Sequence, residues 1–281
     1  MTSLCIDLHC HSTYSDGTLS PQHLVERAHQ NGVDVLALTD HDSTNGLADA
    51  RQVAQDLGIR LINGVEISVT WNQTVLHIVG LNIDPNHTTL VAGLAELQLK
   101  RIERTQQIAA KLEKCGIDQV LADVTALAGS AAATRTHFAR LLVQRNIAKD
   151  NQKAFKQWLG RGARAYVHSE WTGLAEAVAW INGAGGQAVI AHPARYKMTA
   201  GRLSVLLTEF KALGGVGMEV VSGNSHPSDR ENMARLTQKI GLLASVGSDF
   251  HSPDNVWNDL GAKLALPTAC HPIWQDWDLS V

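Results

Sequence analysis

Eight side chains in this sequence carry imidazole or carboxylate groups of the kind that bind metal ions, each at or near the end of a strand-like segment: His9, His11, His41, Glu66, His77, His192, Asp249 and His251. Neutral imidazole is the commonest nitrogen ligand for metals, and carboxylates supply oxygen. The tightest group is Ile6-Asp7-Leu8-His9-Cys10-His11, which reads as a buried strand ending in two histidines one residue apart. Strand side chains alternate faces, so His9 and His11 are expected on one face with Asp7 beneath them. Leu4, Ile6, Leu8 and Cys10 then face the other way, against helices. A His-x-His pair alone is a weak signal, because exposed or hydrogen-bonded pairs also occur. The same types arriving from distant strand ends make a shared rim of ligands the stronger reading, since parallel α/β barrels assemble their chemistry at the strand C-termini. A donor set of nitrogen and oxygen without thiolate suits Mn, Fe or Zn.

The elements that must position these residues follow from periodicity. After the first strand, Ser12-Thr13-Tyr14-Ser15-Asp16-Gly17 is a polar loop, and Ser20-Pro21 opens a helix that Gly32 stops. Residues 33–38 form a second buried strand ending in Thr39-Asp40-His41-Asp42, and a helix closing at Gly58 comes next. Residues 60–69 form a third strand containing Gly64-Val65-Glu66, and Trp71-Asn72-Gln73 turns into a fourth over residues 74–81. Strands alternating with helices predict parallel βαβ units. From His87 to Trp158 the pattern is helical, punctuated at Gly129, and the strand–helix rhythm returns at residues 187–191, 216–221 and 242–246. About seven strands favour a barrel one short of the usual eight. Residues 1–98 and 166–281 are expected to form it, with 99–165 an inserted helical cap subdomain.

Composition bounds the function class. A chain of 281 residues with 44% hydrophobic and 18% charged residues reads as globular, and no apolar run approaches a membrane span. No signal segment is visible, and the four cysteines show neither CxxC spacing nor disulfide-framework density, so a reducing cytoplasm is the expected setting. The net charge of −3 hides an asymmetry: residues 100–165 hold 13 Lys and Arg against 5 Asp and Glu. An acidic body that holds cations beside a basic segment suits an anionic substrate. A solvated basic helix face is the plainer alternative.

Asp7-Leu8-His9-Cys10-His11-Ser12, Ser15-Asp16-Gly17, Thr39-Asp40-His41-Asp42, Gly64-Val65-Glu66, Ala191-His192-Pro193 and Gly247-Ser248-Asp249-Phe250-His251 together resemble the ordered motifs of the PHP (polymerase and histidinol phosphatase) family. The resemblance implies an α/β fold, a distorted (β/α)7 barrel, with a three-metal phosphoesterase site. Carried over residue by residue, it places His9, His11, Glu66 and Asp249 around one ion, and a bridging Glu66 with His77 and His192 around a second. Asp16, His41 and His251 would hold a third, although many members have histidine where this chain has Asp16. Three divalent ions are implied, Mn first, with Fe or Zn as alternatives. Clustered ions could activate water and hold the phosphoryl and leaving oxygens, so the expected reaction is attack by metal-bound hydroxide with no Ser or Cys nucleophile. Asp7 and Asp40 are expected to orient ligating imidazoles.

The insertion contains Thr134-Arg135-Thr136-His137, similar to an arginine-histidine motif in the group of this family that hydrolyses 3′,5′-nucleoside bisphosphates, some members of which trim short RNA from the 5′ end. Val221-Ser222-Gly223-Asn224-Ser225-His226 resembles that group's second phosphate-contacting loop. Arg135, His137, Asn224 and His226 are therefore candidate phosphate contacts, Arg being suited to bidentate phosphate binding. Arg195 and Lys197 are further basic residues near the mouth. With 3 Tyr and 4 Phe there is no aromatic ladder for an extended nucleic acid. The expected activity is removal of the 3′-phosphate from nucleoside 3′,5′-bisphosphates. The alternatives are 5′→3′ exoribonuclease action on short 5′-phosphorylated RNA, histidinol-phosphate phosphatase, and an idle scaffold. The expected partner is a small phosphorylated nucleotide, or short RNA ends, with no membrane and no obligate protein partner.

Overall fold

The computed structural model describes residues 4–279. In chain order β1 (Ile6–Cys10), α1 (Pro21–Gln30), β2 (Val35–Leu38), α2 (Leu47–Leu57), β3 (Arg60–Trp71) and β4 (Thr74–Leu81) form the first half. Four helices come next, α3 (Thr88–Lys114), α4 (Val120–Ala128), α5 (Arg135–Gln144) and α6 (Asn151–Ala154), the last running into a π-helical turn at Phe155–Leu159. The chain then returns through β5 (Thr172–Gly173), α7 (Leu174–Gly183), β6 (Gln187–Ile190), α8 (Ala200–Ala212), β7 (Gly217–Ser222), α9 (Pro227–Ile240) and β8 (Leu243–Gly247). Local sequence sets many of these boundaries. Ser20 Oγ accepts from the His23 backbone N–H to cap α1 ahead of Pro21, and left-handed glycines at 58 and 241 end α2 and α9.

Seven strands pair in the order β1-β2-β3-β4-β6-β7-β8, with the short β5 beside β3. The ring is nearly closed where the chain beyond β8 meets β1: the Asp249 N–H donates to the His9 carbonyl at 2.8 Å, and the His11 N–H donates to the Phe250 carbonyl at 2.9 Å. Every path strand sends residues into one cluster, among them Leu8, Ala37, Ile62, Val79, Val189, Val221 and Val246, which is the barrel interior. A second cluster packs the outer faces of β3 and β4 against α3, α7 and α8, and a third packs β1 and β2 against α1 and α2. Trp274 and Trp277 cover the barrel's base. No helix among the described residues is long and apolar enough to cross a membrane.

Two expectations about the sheet are corrected. It is not wholly parallel: β4 runs antiparallel to both β3 and β6. His77 therefore stands in the first half of its strand, opposite Ser68, and not at a strand C-terminus. Strict alternation along β1 also fails, because pairing with β2 shifts register between Asp7 and Cys10. Ile6 and Leu8 point into the barrel, whereas Cys10 packs among the α1 and α2 residues. The extra residue in the strand re-aims the side chains beyond it, and both His9 and His11 reach the rim.

The segment between β4 and β5 has its own cluster, including Ile108, Leu112, Val124, Phe138, Leu142 and Trp158. Helix α3 joins it to the barrel: Leu90, Leu94 and Leu97 pack on the barrel side, and Ile108, Ala109 and Leu112 pack in the insertion. The boundary expected at residue 99 thus lies inside a continuous helix. Arg101 is buried at the junction, donating from Nε to Asp42 Oδ2 at 2.7 Å and from a terminal nitrogen to Ser68 Oγ at 2.9 Å.

The closing seam has no spare volume, since a methyl group at Gly247 would overlap His9 Cβ. Gly247→Ala should lower stability by about 1–3 kcal/mol, the usual penalty for overpacking. The denaturant midpoint measures this, and an unshifted midpoint would mean that β1 and β8 are not locked together there.

Candidate metal centre

The rim of the barrel draws nine candidate ligands into one buried cluster around Glu66. Its carboxylate lies within contact of five imidazoles: Oε2 to His41 Nδ1 at 2.7 Å and His11 Nε2 at 3.4 Å, and Oε1 to His77 Nδ1 at 2.9 Å, His192 Nε2 at 3.0 Å and His9 Nε2 at 3.3 Å. His11 Nε2 also stands 3.1 Å from His9 Nε2 and 3.1 Å from Asp249 Oδ1. Asp16 Oδ1 is 3.2 Å from His251 Nε2 and 3.8 Å from His41 Nε2. Three groups have donor atoms mutually close enough to share an ion: His9, His11 and Glu66; His41, Glu66 and His77; and His11, Asp16, His41 and His251.

The charges in the cluster oppose their own burial. Burial alone would raise the Glu66 pKa, yet the imidazoles of His77, His41 and His9 outweigh it and hold the carboxyl well below its usual range. Asp16 is likewise held low by His251 and His41, and Asp249 by Arg195 and His251. Burial, aided by the charges of His251 and His41, pushes His11 down to about 3, so its ring is neutral near neutral pH. His251 moves the other way, to about 9, because Asp16 and Asp249 overcome its desolvation. Buried Asp16 Oδ1, His41 Nδ1 and Glu66 Oε2 have no hydrogen-bond partner of acceptable geometry. Buried polar atoms seldom lack partners, and donor atoms converging without hydrogen bonds are what cation ligands require.

Strained backbone delivers two of these groups. His192 (φ 31°) and Asp249 (φ 52°) both adopt left-handed conformations, which are uncommon away from glycine and concentrate at functional sites. Glu219, buried in β7, steadies the arrangement. Its Oε1 accepts from His9 Nδ1 at 2.5 Å and its Oε2 accepts from the His192 backbone N–H at 2.6 Å. The bond from His9 Nδ1 fixes the ring with Nε2 turned towards Glu66. Glu219 was not among the expected site residues, although one carboxylate inside the apolar run Gly217-Met218-Glu219-Val220-Val221 was a readable signal.

Five other expected residues sit differently. Asp7 touches no imidazole; its carboxylate accepts from the backbone N–H groups of Ser248, Gly261 and His9, at 2.8, 2.9 and 3.3 Å. Asp40 accepts from Ser15 Oγ at 2.6 Å, and that hydroxyl stands 3.4 Å from His11 Nδ1, so Asp40 reaches an imidazole only through Ser15. His137 is turned back on its own helix, its Nδ1 accepting from the Thr134 N–H at 3.0 Å. Burial, aided by the charges of Arg140 and Arg101, lowers its pKa to about 4, leaving no positive charge for a phosphate. Asn224 and His226 lie outside the main cleft, on an exposed loop where His226 caps α9.

The cleft over the cluster is a cavity of about 230 Å³, walled opposite the ligands by Arg101, Arg104, Arg135, Phe155 and Trp171. Arg101 is neutralised by Asp42, but no carboxylate lies within ion-pair distance of Arg104 or Arg135 among the described residues. Arg104 Nε is buried without a partner, and burial, with the charges of Arg135 and Arg101, lowers the Arg104 pKa to about 9. The aromatic rings supply only partial compensation: Arg104 lies over Trp171 and Arg135 over Phe155, at 5.5 and 5.9 Å. Arg104 was not an expected site residue either, because in a helical sequence pattern it resembles any solvated basic position.

Comparison with known proteins identifies the fold. The model of the PHP domain family matches residues 7–170. A 3′,5′-nucleoside bisphosphate phosphatase from Chromobacterium violaceum is 44% identical over 272 residues, covering 96% of this chain and 95% of its own. A 5′-3′ exoribonuclease from Haemophilus influenzae is 45% identical over 269 residues, covering 96% and 97%. A solved structure of an amidohydrolase from Chromobacterium violaceum, with bound sulfate and no metal, superposes with a TM-score of 0.92 at 44% identity, over 96% of this chain and 94% of that one.

The electrostatics of the cluster set two expected outcomes. Glu219→Gln keeps the shape but gives up an acceptor and a charge, and should weaken metal affinity about 10–100-fold by direct titration. An unchanged affinity would remove Glu219 from the support of His9. Because His251 holds its proton up to about 9, cations must displace it. Apparent affinity should rise with pH towards that value and then level off, and a flat profile would contradict the assignment.

Proposed function

The chain belongs to the PHP domain family, and from that premise we propose that it is a metal-dependent phosphatase that hydrolyses the 3′-phosphate of nucleoside 3′,5′-bisphosphates to give nucleoside 5′-monophosphates. One observation carries the substrate reading. A cluster suited to cations and two guanidiniums without carboxylate partners line the same cleft, so it offers separate places for two phosphates. Histidinol phosphate has a single phosphate and would leave the arginine pair without a counterion.

We assign His9, His11, Glu66 and Asp249 to one ion, Glu66, His77 and His192 to a second, and Asp16, His41 and His251 to a third, with Mn, Fe or Zn as the metals. Bound there, such ions supply an activated water and neutralise the oxygens of the reacting phosphate. The chain itself does the rest. Arg104 and Arg135, from the segment 99–165 that we read as a cap subdomain, bind the non-reacting 5′-phosphate and fix the nucleotide's register. Glu219 holds the proton on His9 Nδ1, so the imidazole does not turn. Phe155 and Trp171 wall the cleft, which limits water around the reacting bond. Four unbridged cysteines fit a cytoplasmic setting.

A second reading, 5′→3′ trimming of short RNA, has its own support. The cleft is open on its other side: a cavity of about 360 Å³ shares His192 and Arg195 with it and is lined further on by Asn224 and His226. A leaving nucleotide would fit there, which gives those two residues a role that the bisphosphate does not need.

A phosphate-release panel over bisphosphates, monophosphates and 5′-phosphorylated oligonucleotides, with added Mn, tests both readings through kcat/KM. The bisphosphate should be preferred, and preference for the oligomer would install the second reading. Glu66→Ala should abolish turnover. Arg135→Ala should raise KM for the bisphosphate about tenfold or more with kcat little changed, the signature of lost uniform binding to a charged group. An unmoved KM would take Arg135 out of the site.

A further inference from the structure

The wall formed by Arg104 and Arg135 does not close the cleft. Beyond it lies a second, wider cavity of about 640 Å³, and Val75, Arg104, Arg135 and Trp171 line both spaces. A phosphate held between the two guanidiniums therefore has the metal cluster on one side and this cavity on the other. The far space is cationic: exposed Arg161 joins Arg104 and Arg135 in lining it, against a single carboxylate, that of Glu170, which stands 4.0 Å from His168. Arg161 has no carboxylate within ion-pair distance among the described residues. An enzyme restricted to a terminal 5′-phosphate would gain from a sealed anion pocket. Here the shared wall leaves room, and positive charge, for something attached to that phosphate.

We propose that the cavity beyond Arg104 and Arg135 receives a further anionic group on the 5′-phosphate, so that the enzyme also takes nucleoside 3′-phosphates bearing a 5′-diphosphate or triphosphate. This rests on the bisphosphatase reading and extends its substrate class. The reaction is unchanged: water adds to the 3′-phosphorus, the bond to the 3′-oxygen breaks, inorganic phosphate leaves, and a proton of the water passes to the 3′-oxygen, which becomes the hydroxyl. The 5′-anhydride stays intact, so a nucleoside 3′-phosphate 5′-diphosphate gives inorganic phosphate and the nucleoside 5′-diphosphate. Arg161 meets the terminal phosphate as a single exposed cation, which favours the longer substrate by a modest factor.

The test compares kcat/KM for adenosine 3′,5′-bisphosphate and adenosine 3′-phosphate 5′-diphosphate, with products separated by anion-exchange chromatography, in the metal-loaded enzyme and in Arg161→Glu. The unaltered enzyme should process both with kcat/KM values within about tenfold of each other, and the charge reversal should depress the diphosphate about tenfold while leaving the bisphosphate unchanged. Rejection of the diphosphate by an enzyme that turns over the bisphosphate would overturn this inference alone. Equal losses on both substrates in Arg161→Glu would also overturn it. Failure to release phosphate from either substrate would bring down the bisphosphatase reading, and this extension with it.

Discussion

A carboxylate with no solvent exposure faces five imidazoles at the centre of this molecule, and the remainder of the site is arranged around that encounter. An ionised Glu66 in the interior needs positive charge close by, because desolvation penalises it heavily. Protons on the imidazoles can supply only part of that charge. Each ring that accepts a proton repels its neighbours, as the depression of His11 by His251 and His41 records. His9 and His11 bring their Nε2 atoms to 3.1 Å of each other, so the pair has room for one proton between them and not for two. Divalent cations resolve both difficulties, since one ion can draw on several lone pairs and the carboxylate together.

That convergence is bought with irregular backbone. Regular strands would have spread these side chains along both faces of the sheet. The ligands gather where pairing departs from the ideal: at the register shift in β1, at a second shift in β7 beside Glu219, and at left-handed His192 and Asp249. Such residues cost of the order of 1–3 kcal/mol each and persist only when their surroundings fix them. Glu219 does this from one side by gripping the His192 N–H and the His9 ring together, and the Asp249 N–H bonded to the His9 carbonyl does it from the other. Barrel closure and ligand geometry thus draw on the same hydrogen bonds.

The strands and helices could be read from the sequence because their apolar periods are strong, and the ligands because imidazoles and carboxylates at strand ends have few structural reasons to be there. Misreadings arose where a local rule was applied too far or too little. Asn72 and Gln73, both at positive φ, make a two-residue connection that can join only antiparallel strands, because a parallel crossover needs a dozen residues or more. The direction of β4, and with it the placement of His77, was therefore legible in principle. The bulge in β1 was not, since a register shift depends on the partner strand. The signal of Glu219 is visible only once residues 217–222 are taken as a strand buried on both faces. Loop residues are the least legible: Asn224 and His226 lie close behind a strand end, yet they line the adjoining cavity with His192 and Arg195 and not the main cleft, and no periodicity constrains such a turn.

The placement of the arginines explains why the chain carries an insertion. The barrel rim is crowded with carboxylates that serve the cations, and a guanidinium set among them is captured, as Arg195 is by Asp249 and Arg101 by Asp42. A captured arginine has little left to offer an anion. Arg104 lies one helical turn beyond Arg101 on α3, and Arg135 begins α5, so these two helices hold both just beyond reach of the rim carboxylates. The excess of basic over acidic residues in 100–165 is thus not spread evenly as a solvated face; part of it is concentrated where no carboxylate cancels it. Separating the two charge systems leaves one narrow cleft with a floor suited to cations and a wall suited to an anion, neither neutralising the other. Helix α3, packed on the barrel at one end and in the insertion at the other, sets how far the Arg104 guanidinium stands from the ligand cluster.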